Sequence, residues 1–197
     1  MKPITKKIIS FVILVSLGIV GRVFFVNYIG IPNFEIVSSL ALFSGFYLGG
    51  IFSFITPLAI IFLSDLFIGN SAILIFTWSA FGLIGLMGLI MKKVGLGKFI
   101  FLKTTSFGFL ASCFFFLYTN FGWWVLSNMY PHNWEGLIAC FVNGVPFFRT
   151  NLMGNLFLVP LVFGTFFVLK GLLYSSKVVM MSEAKHLGQD SSSADSK

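Results

Sequence analysis

Apolar residues fill long runs of this chain, and short polar segments separate the runs. At 1.5 Å per residue, most of the runs can cross a hydrocarbon core about 30 Å thick. The pattern predicts an all-α integral membrane protein with six transmembrane helices in one bundle. The predicted spans are Ile8–Val26, Ile36–Gly50, Ile51–Ile68, Ala72–Met91, Thr104–Val125 and Leu152–Leu169.

The second and first runs each have an unusual feature. The second is short enough to be strained unless it packs within the bundle, and Gly49 and Gly50 predict a tight turn between it and the third. The first follows basic residues, as a signal peptide does. No small-x-small cleavage site follows it, so we interpret it as an uncleaved span.

One further apolar run, Gly136–Phe148, is too short to span and contains Asn143 and Pro146. Irregular backbone survives at membrane depth only where protein covers it, so we predict a re-entrant or interfacial segment before the last helix. The chain from Ser182 onward is polar and rich in serine. We therefore predict a six-helix transmembrane domain over residues 1–181 and a disordered cytoplasmic tail over residues 182–197.

Composition agrees with a membrane protein. The chain is 57% hydrophobic and 10% charged, with a mean hydropathy of +0.98, whereas a soluble domain carries about 25% charged residues. With six crossings, every lysine falls on one side. The positive-inside rule makes that side cytoplasmic, so we predict a multi-pass protein of the cell (inner) membrane with both termini cytoplasmic. A non-spanning hairpin of the second and third runs would keep the same parity.

Within and near the predicted spans, the charges that are not lysines fall at the external ends. They are Arg22, Glu35, Asp65, Glu135 and Arg149. Asparagines and tryptophans join them at that level: Asn33, Asn120, Asn143, Asn151, Asn155, Trp123, Trp124 and Trp134. Polar groups near hydrocarbon are costly and mark candidate functional sites. A few fixed polar groups among aromatic walls are the usual form of a small-ligand site.

A structural interpretation stands beside that one. Arg22 would pair with Asp65, and Arg149 with Glu135 or Glu35, only to neutralise buried charge. The tryptophans would then form an interfacial aromatic belt. The convergence of charges from four separate segments favours a site.

Small residues form two stripes. Ala41, Gly45 and Gly49 recur every four residues in the second run, and the fourth run repeats glycine every three residues, at Gly82, Gly85 and Gly88. Such stripes let helices approach closely. They either pack this bundle internally or receive a partner protein.

No recognised catalytic or nucleotide-binding motif occurs in the sequence. It has no phosphate loop, no G-x-S-x-G and no H-E-x-x-H. Cys113 and Cys140 lie in apolar runs without a neighbouring Cys or His at metal spacing, so we expect no metal and no cofactor. No acid lies mid-membrane to relay protons. The chain shows the features of a binding site without a source of energy, and we do not expect an enzyme.

Several short motifs together resemble an uncharacterised family described as substrate-binding (S) components of energy-coupling-factor (ECF) transporters. The likeness runs from about Arg22 to Gly164. Its motifs are Pro32-Asn33-Phe34-Glu35, Ala41-Leu42-Phe43-Ser44-Gly45, Ser64-Asp65-Leu66 with Gly69, Thr119-Asn120-Phe121-Gly122 with Trp124, Tyr130-Pro131, Cys140, and Pro146-Phe147-Phe148-Arg149 with Gly154.

This resemblance implies a six-helix membrane subunit that captures a vitamin or other micronutrient from outside. It also implies association with a transmembrane coupling protein and two cytoplasmic ATPases. Asn155 stands where the family often has an acid, which changes the expected charge preference for the ligand. The small residues of the first span, Ser16, Gly18 and Gly21, form no clear four-residue repeat of the kind that docks the coupling protein.

We therefore expect a capture subunit of an ECF-type importer that binds a vitamin-like micronutrient at the outer face. The alternatives are a membrane scaffold or assembly protein without a ligand and, third, a small lipid-modifying enzyme. Arg22 and Arg149 would bind anionic or carbonyl groups, and Asp65 and Glu35 amines or hydroxyls. The full predicted set of substrate-binding residues is Arg22, Asn33, Glu35, Asp65, Asn120, Trp123, Trp124, Arg149 and Asn155.

Overall fold

The computed structural model describes residues 3–31, 33–69 and 73–194, with side chains as far as residue 176. All regular secondary structure in these ranges is helical, which confirms the predicted all-α class. The six helices are α1 (Pro3–Phe24), α2 (Val37–Tyr47), α3 (Phe52–Ile68), α4 (Leu74–Val94), α5 (Ile100–Leu126) and α6 (Trp134–Ala194). A π-helical turn, Phe25–Ile29, extends α1, and a 3-10 turn, Gly97–Phe99, precedes α5.

Four of the described segments are long and apolar enough to cross a membrane: Pro3–Ile29, Leu74–Val94, Gly97–Leu126 and Trp134–Ser176. They indicate a membrane protein, as the sequence predicts. Helices α2 and α3 are shorter, with 11 and 17 residues. At 1.5 Å per residue α2 extends only about 16 Å, roughly half of a hydrocarbon core. The prediction of six crossings stays a prediction.

Helix α2 is covered by neighbouring helices. Its residues from Val37 to Gly45 are all buried, because α2 packs against both α3 and α4. Helix α3 also packs on α1, and α4 on α5. Gly49 and Gly50 have φ of 66° and 59°, and they form the predicted turn between α2 and α3. Left-handed backbone of this kind favours glycine.

Glycines bring α2, α3 and α4 into backbone contact. A Cβ added at Gly45 would lie 2.0 Å from the carbonyl oxygen of Gly85, and one added at Gly88 would lie 2.2 Å from that of Leu42. At Gly85 it would lie 1.9 Å from the carbonyl oxygen of Ser53. These stripes pack the protein internally, the first of the two interpretations of the sequence pattern.

The prediction of a separate re-entrant segment before the last helix is wrong. Residues 136–148 and the sixth predicted span both lie in α6, which contains Pro146 and Pro160. Proline removes one backbone donor, and apolar helices tolerate that loss where neighbouring groups satisfy the carbonyl it leaves. Asn133 starts the helix, because its Oδ1 accepts the backbone N–H of Gly136 at 2.8 Å.

The chain forms two compact units, Met1–Val162 and Phe163–Lys197. The first contains α1 to α5 and the beginning of α6, and the second contains the rest of α6. The helical backbone continues to Ala194, over most of the range predicted as a disordered tail, and residues 195–197 lie outside the described part. The predicted boundary after residue 181 stays a prediction.

The close approach of α4 to α3 is testable at Gly85. We expect Gly85→Ala to lower the free energy of unfolding by about 1–3 kcal/mol, because the new methyl group overlaps the Ser53 carbonyl. The matched control is Gly164→Ala, where an added Cβ meets no described atom within 4 Å beyond its own helix backbone. Thermal unfolding in detergent, followed by circular dichroism, measures both. Equal melting temperatures for the two variants would contradict the packing.

Candidate functional site

An ion pair joins three helices at one end of the first unit. Arg22, in the last turn of α1, donates from Nη1 to Asp65 Oδ1 at 2.5 Å and to Ser64 Oγ at 2.6 Å. Trp78 of α4 donates from Nε1 to Asp65 Oδ2 at 2.8 Å. The Arg22 and Asp65 side chains are 16% and 6% exposed, so water screens the pair little. The predicted pairing of Arg22 with Asp65 is therefore present in the structure.

A cavity of about 830 Å³ lies beside this pair. Its walls come from the C-terminal parts of α1, α3 and α5 and the N-terminal parts of α4 and α6. The volume falls within the usual range for a small-ligand site. The lining residues are Arg22, Asn33, Ile68, Gly69, Ile73, Thr77, Phe115, Thr119, Asn120, Trp123, Met129, Tyr130, Cys140, Asn143, Gly144 and Phe147.

Polar groups of this cavity are held in place by bonds of their own. Thr77 and Thr119 donate their hydroxyls to backbone carbonyls one turn earlier, at 3.3 and 2.7 Å. Asn143 Nδ2 donates to the Tyr130 hydroxyl at 3.1 Å. Asn120 Nδ2 donates to the Phe116 carbonyl at 2.8 Å, and its Oδ1 lies where a Cβ on Gly144 would be only 2.2 Å away. The lining therefore offers oriented hydroxyl and amide groups among aromatic rings.

A smaller cavity of about 300 Å³ shares Arg22, Asn33, Thr77 and Phe115 with the larger one. Its other lining residues come mainly from the connection between α1 and α2 and include Phe34, Glu35 and Asn151. The four shared residues form the partition between the two spaces, so Arg22 contributes to both.

Glu35 caps the N-terminus of α2. Its carboxylate accepts the backbone N–H groups of Val37 and Ser38 and the Ser38 hydroxyl, the last at 2.9 Å. A carboxylate at this position also interacts favourably with the helix dipole. Burial raises the pKa of Glu35, although these hydrogen bonds and the nearby Arg22 charge oppose the rise. Glu35 thus has a structural role even where it lines the smaller cavity.

Asparagine side chains connect the α1–α2 loop to α5 and α6. Asn33 has a φ of 60°, a left-handed conformation that asparagine tolerates. Its carbonyl accepts Asn151 Nδ2 at 3.3 Å, and Asn151 Oδ1 accepts Asn155 Nδ2 at 3.2 Å. Asn155 is fully buried and also donates to Ser112 Oγ of α5 at 2.8 Å. These amides fix the loop that lines both cavities.

The structure brings five of the nine predicted substrate-binding residues to the two cavities. Arg22, Asn33, Asn120 and Trp123 line the larger, and Glu35 lines the smaller. The other four, Asp65, Trp124, Arg149 and Asn155, line neither.

Those four residues have other surroundings. Asp65 accepts a hydrogen bond from Arg22, and Asn155 is buried and donates to Ser112. Trp124 Nε1 donates to the Pro131 carbonyl at 3.0 Å. Arg149 is exposed, and no ion pair of Arg149 with Glu135 or Glu35 occurs among the described residues.

Several lining residues were not in the predicted set, notably Thr77, Phe115, Thr119 and Tyr130. Each lies in or next to an apolar run, which gives no sign of the side that faces inward, although Thr119 and Tyr130 belong to the motifs that resemble those of S components. Trp78 could have been found, because an indole N–H in an apolar run needs an acceptor and Asp65 is the nearest acid along the chain.

The lining offers hydrogen bonding and aromatic contact. Among the residues that the structure describes, no three His, Cys, Asp or Glu side chains are grouped as a metal site requires.

Comparison with known proteins assigns the chain to a family. The chain belongs to DUF6580, a family of unknown function, which matches residues 2–178. No curated protein matches it. No solved structure matches it either.

The buried position of Glu35 predicts a pH dependence. Because its pKa is raised in the folded state, the folded protein takes up a proton before the unfolded chain does, whose glutamate pKa is about 4.3. The free energy of unfolding should therefore rise as the pH falls from 7 towards 5. We expect Glu35→Gln to lose the part of this rise that Glu35 contributes. Melting temperatures of both proteins across this range test it, and parallel curves would count against a raised pKa.

Proposed function

We propose that this member of DUF6580 is the substrate-capture (S) subunit of an ECF-type ABC importer, binding a vitamin-like micronutrient at the external end. The larger cavity is the observation that carries the proposal. Its size suits a small molecule, and its wall combines aromatic rings with side chains held in fixed orientations. Such preorganised groups lower the entropy lost on binding.

The ligand would contact three kinds of group. Trp123, Phe115 and Tyr130 supply faces on which a planar ring can stack. Thr77 and Thr119 present hydroxyl oxygens as acceptors, since their hydrogens point to helix carbonyls. Both described bonds of Arg22 leave from Nη1, so its Nη2 and Nε groups can donate to the ligand.

The topology we propose places this cavity outside. All six helices would cross or enter the inner membrane, with both termini cytoplasmic and the lysines on the cytoplasmic side. The short helix α2 fits such a bundle because neighbouring helices cover its sides instead of lipid.

Transport would require partners that supply energy. The chain has no phosphate loop, so we propose that it is not an enzyme and associates with a transmembrane coupling protein and cytoplasmic ATPases. The resemblance of the sequence motifs to S components supports this step. Crosslinking in native membranes followed by identification of the partner tests it, and recovery of ATPase subunits is the expected result.

A membrane scaffold is the second candidate. Its basis is the pairing of polar groups with one another: Arg22 binds Asp65, and Asn151 binds Asn155. A scaffold would bind no small molecule, and its crosslinked partner would not contain an ATPase. The cavity favours the first candidate, because polar pairing alone requires no space of that size.

Ligand binding provides the direct test. We expect a compound from a panel of water-soluble vitamins to raise the melting temperature of the purified protein. Asn143→Leu should weaken binding about tenfold, because it removes an oriented amide from the lining. Arg149→Leu is the matched control on the same helix, since Arg149 is exposed and lines neither cavity. Equal effects of the two variants, or no stabilising compound, would contradict the proposal.

A further inference from the structure

One charged group stands among the described residues that line the larger cavity. Among its sixteen described lining residues, Arg22 alone carries charge at neutral pH. Taken by itself, this lining would suggest an anionic ligand such as a carboxylate or a phosphate, since a guanidinium binds both.

The balance of charge changes once Asp65 is included. Its carboxylate oxygen lies 2.5 Å from Arg22 Nη1, and its side chain is 6% exposed, so little water intervenes. Ser64 and Trp78 fix this arrangement from α3 and α4. An anion placed near Arg22 would lie close to Asp65 as well. Its attraction to the pair would be small, whereas its transfer out of water would be costly.

Glu35 lies on the other side of the four residues that separate the cavities, and as an acid it cannot attract an anion. It lines only the smaller cavity, and its carboxylate is bonded to the N-terminal N–H groups of α2. The dipole of α2 offsets part of its negative charge. The space around Arg22 therefore has no excess positive charge for an anion to neutralise.

The hydrogen-bonding groups that remain both donate and accept. Arg22 supplies N–H donors, and the Tyr130 hydroxyl, which accepts from Asn143, keeps its own hydrogen for a ligand. Thr77 and Thr119 supply acceptor oxygens. Uncharged amide and imide groups carry the complementary pattern.

We propose that Asp65 makes the larger cavity electrically neutral, and that its ligand is an uncharged molecule bearing amide or imide groups. This inference deepens the proposed function, and rests on it only in taking the larger cavity as the binding site. Asp65 acts as a positioning residue that sets charge selectivity through Arg22 and does not itself line the cavity.

Cys140 provides a reporter inside the cavity that needs no known ligand. Cys140 is one of the lining residues of the larger cavity, its thiol donates to the Asn120 carbonyl at 3.4 Å, and Cys113→Ser leaves it as the single thiol of the chain. We would measure its reaction with two methanethiosulfonates of similar size, the anionic 2-sulfonatoethyl and the cationic 2-(trimethylammonium)ethyl reagents. Each rate is divided by the rate at Asn128→Cys, an exposed position, in a background without the native cysteines.

With Arg22 and Asp65 intact, the two normalised rates should agree within about threefold. Asp65→Asn, which keeps the shape and a hydrogen-bond acceptor, should favour the anionic reagent about tenfold at low ionic strength. Arg22→Gln should shift the ratio the opposite way, and it carries the test if Asp65→Asn fails to fold. If Asp65 had a purely structural role, Asp65→Asn and Arg22→Gln would not shift the ratio of the two rates in opposite directions.

Two outcomes would overturn the inference. One is a preference of more than tenfold for the anionic reagent with both residues intact, and the other is an unchanged ratio in both variants. Identification of a ligand with net charge would also overturn it while leaving the capture function standing. Failure of every vitamin to bind would instead remove the capture function and leave the measured charge balance intact.

Discussion

Burial of the Arg22–Asp65 pair determines how the helices meet at the end of the protein that contains the cavities. Each charge would be costly alone in an apolar surrounding, and leaving one partner unpaired costs about 3–5 kcal/mol. The ends of α1 and α3 must therefore stay together. Trp78 adds α4 to the group through the second carboxylate oxygen. The pair also fixes a guanidinium in the partition between the two cavities.

Close packing of α2 with α3 and α4 holds together two of the helices, α3 and α4, that carry Asp65 and Trp78. Glycines at the contacts allow backbones to touch, which no larger residue would permit. Because α2 is covered on its sides, an 11-residue helix can remain inside a protein whose other helices are much longer. Glu35 caps α2 and also lines the smaller cavity, so the packed part and the cavity region meet at one residue.

The helices, the turn between α2 and α3 and the buried ion pair could be predicted from the sequence, because they depend on where residues lie along the chain. Apolar runs predicted the helices, and Gly49 and Gly50 predicted the turn. The cost of buried charge suggested the Arg22–Asp65 pair as one of two interpretations. The lining could be predicted only in part, since a helix that is apolar all round gives no sign of its rotation. Thr77 and Arg149 show this: one faces the cavity and the other does not. The continuity of α6 through two prolines was likewise missed.

We propose that the larger cavity holds a small molecule. Native mass spectrometry of the protein released directly from its own membranes tests this most directly. We expect a bound species too small to be a phospholipid, present with the unaltered protein and absent when Gly144→Leu displaces Asn120 into the cavity. Gly164→Leu is the control and should retain the species, because a Cβ there meets no described atom nearby. A spectrum with only lipid adducts, identical for both variants, would contradict the account.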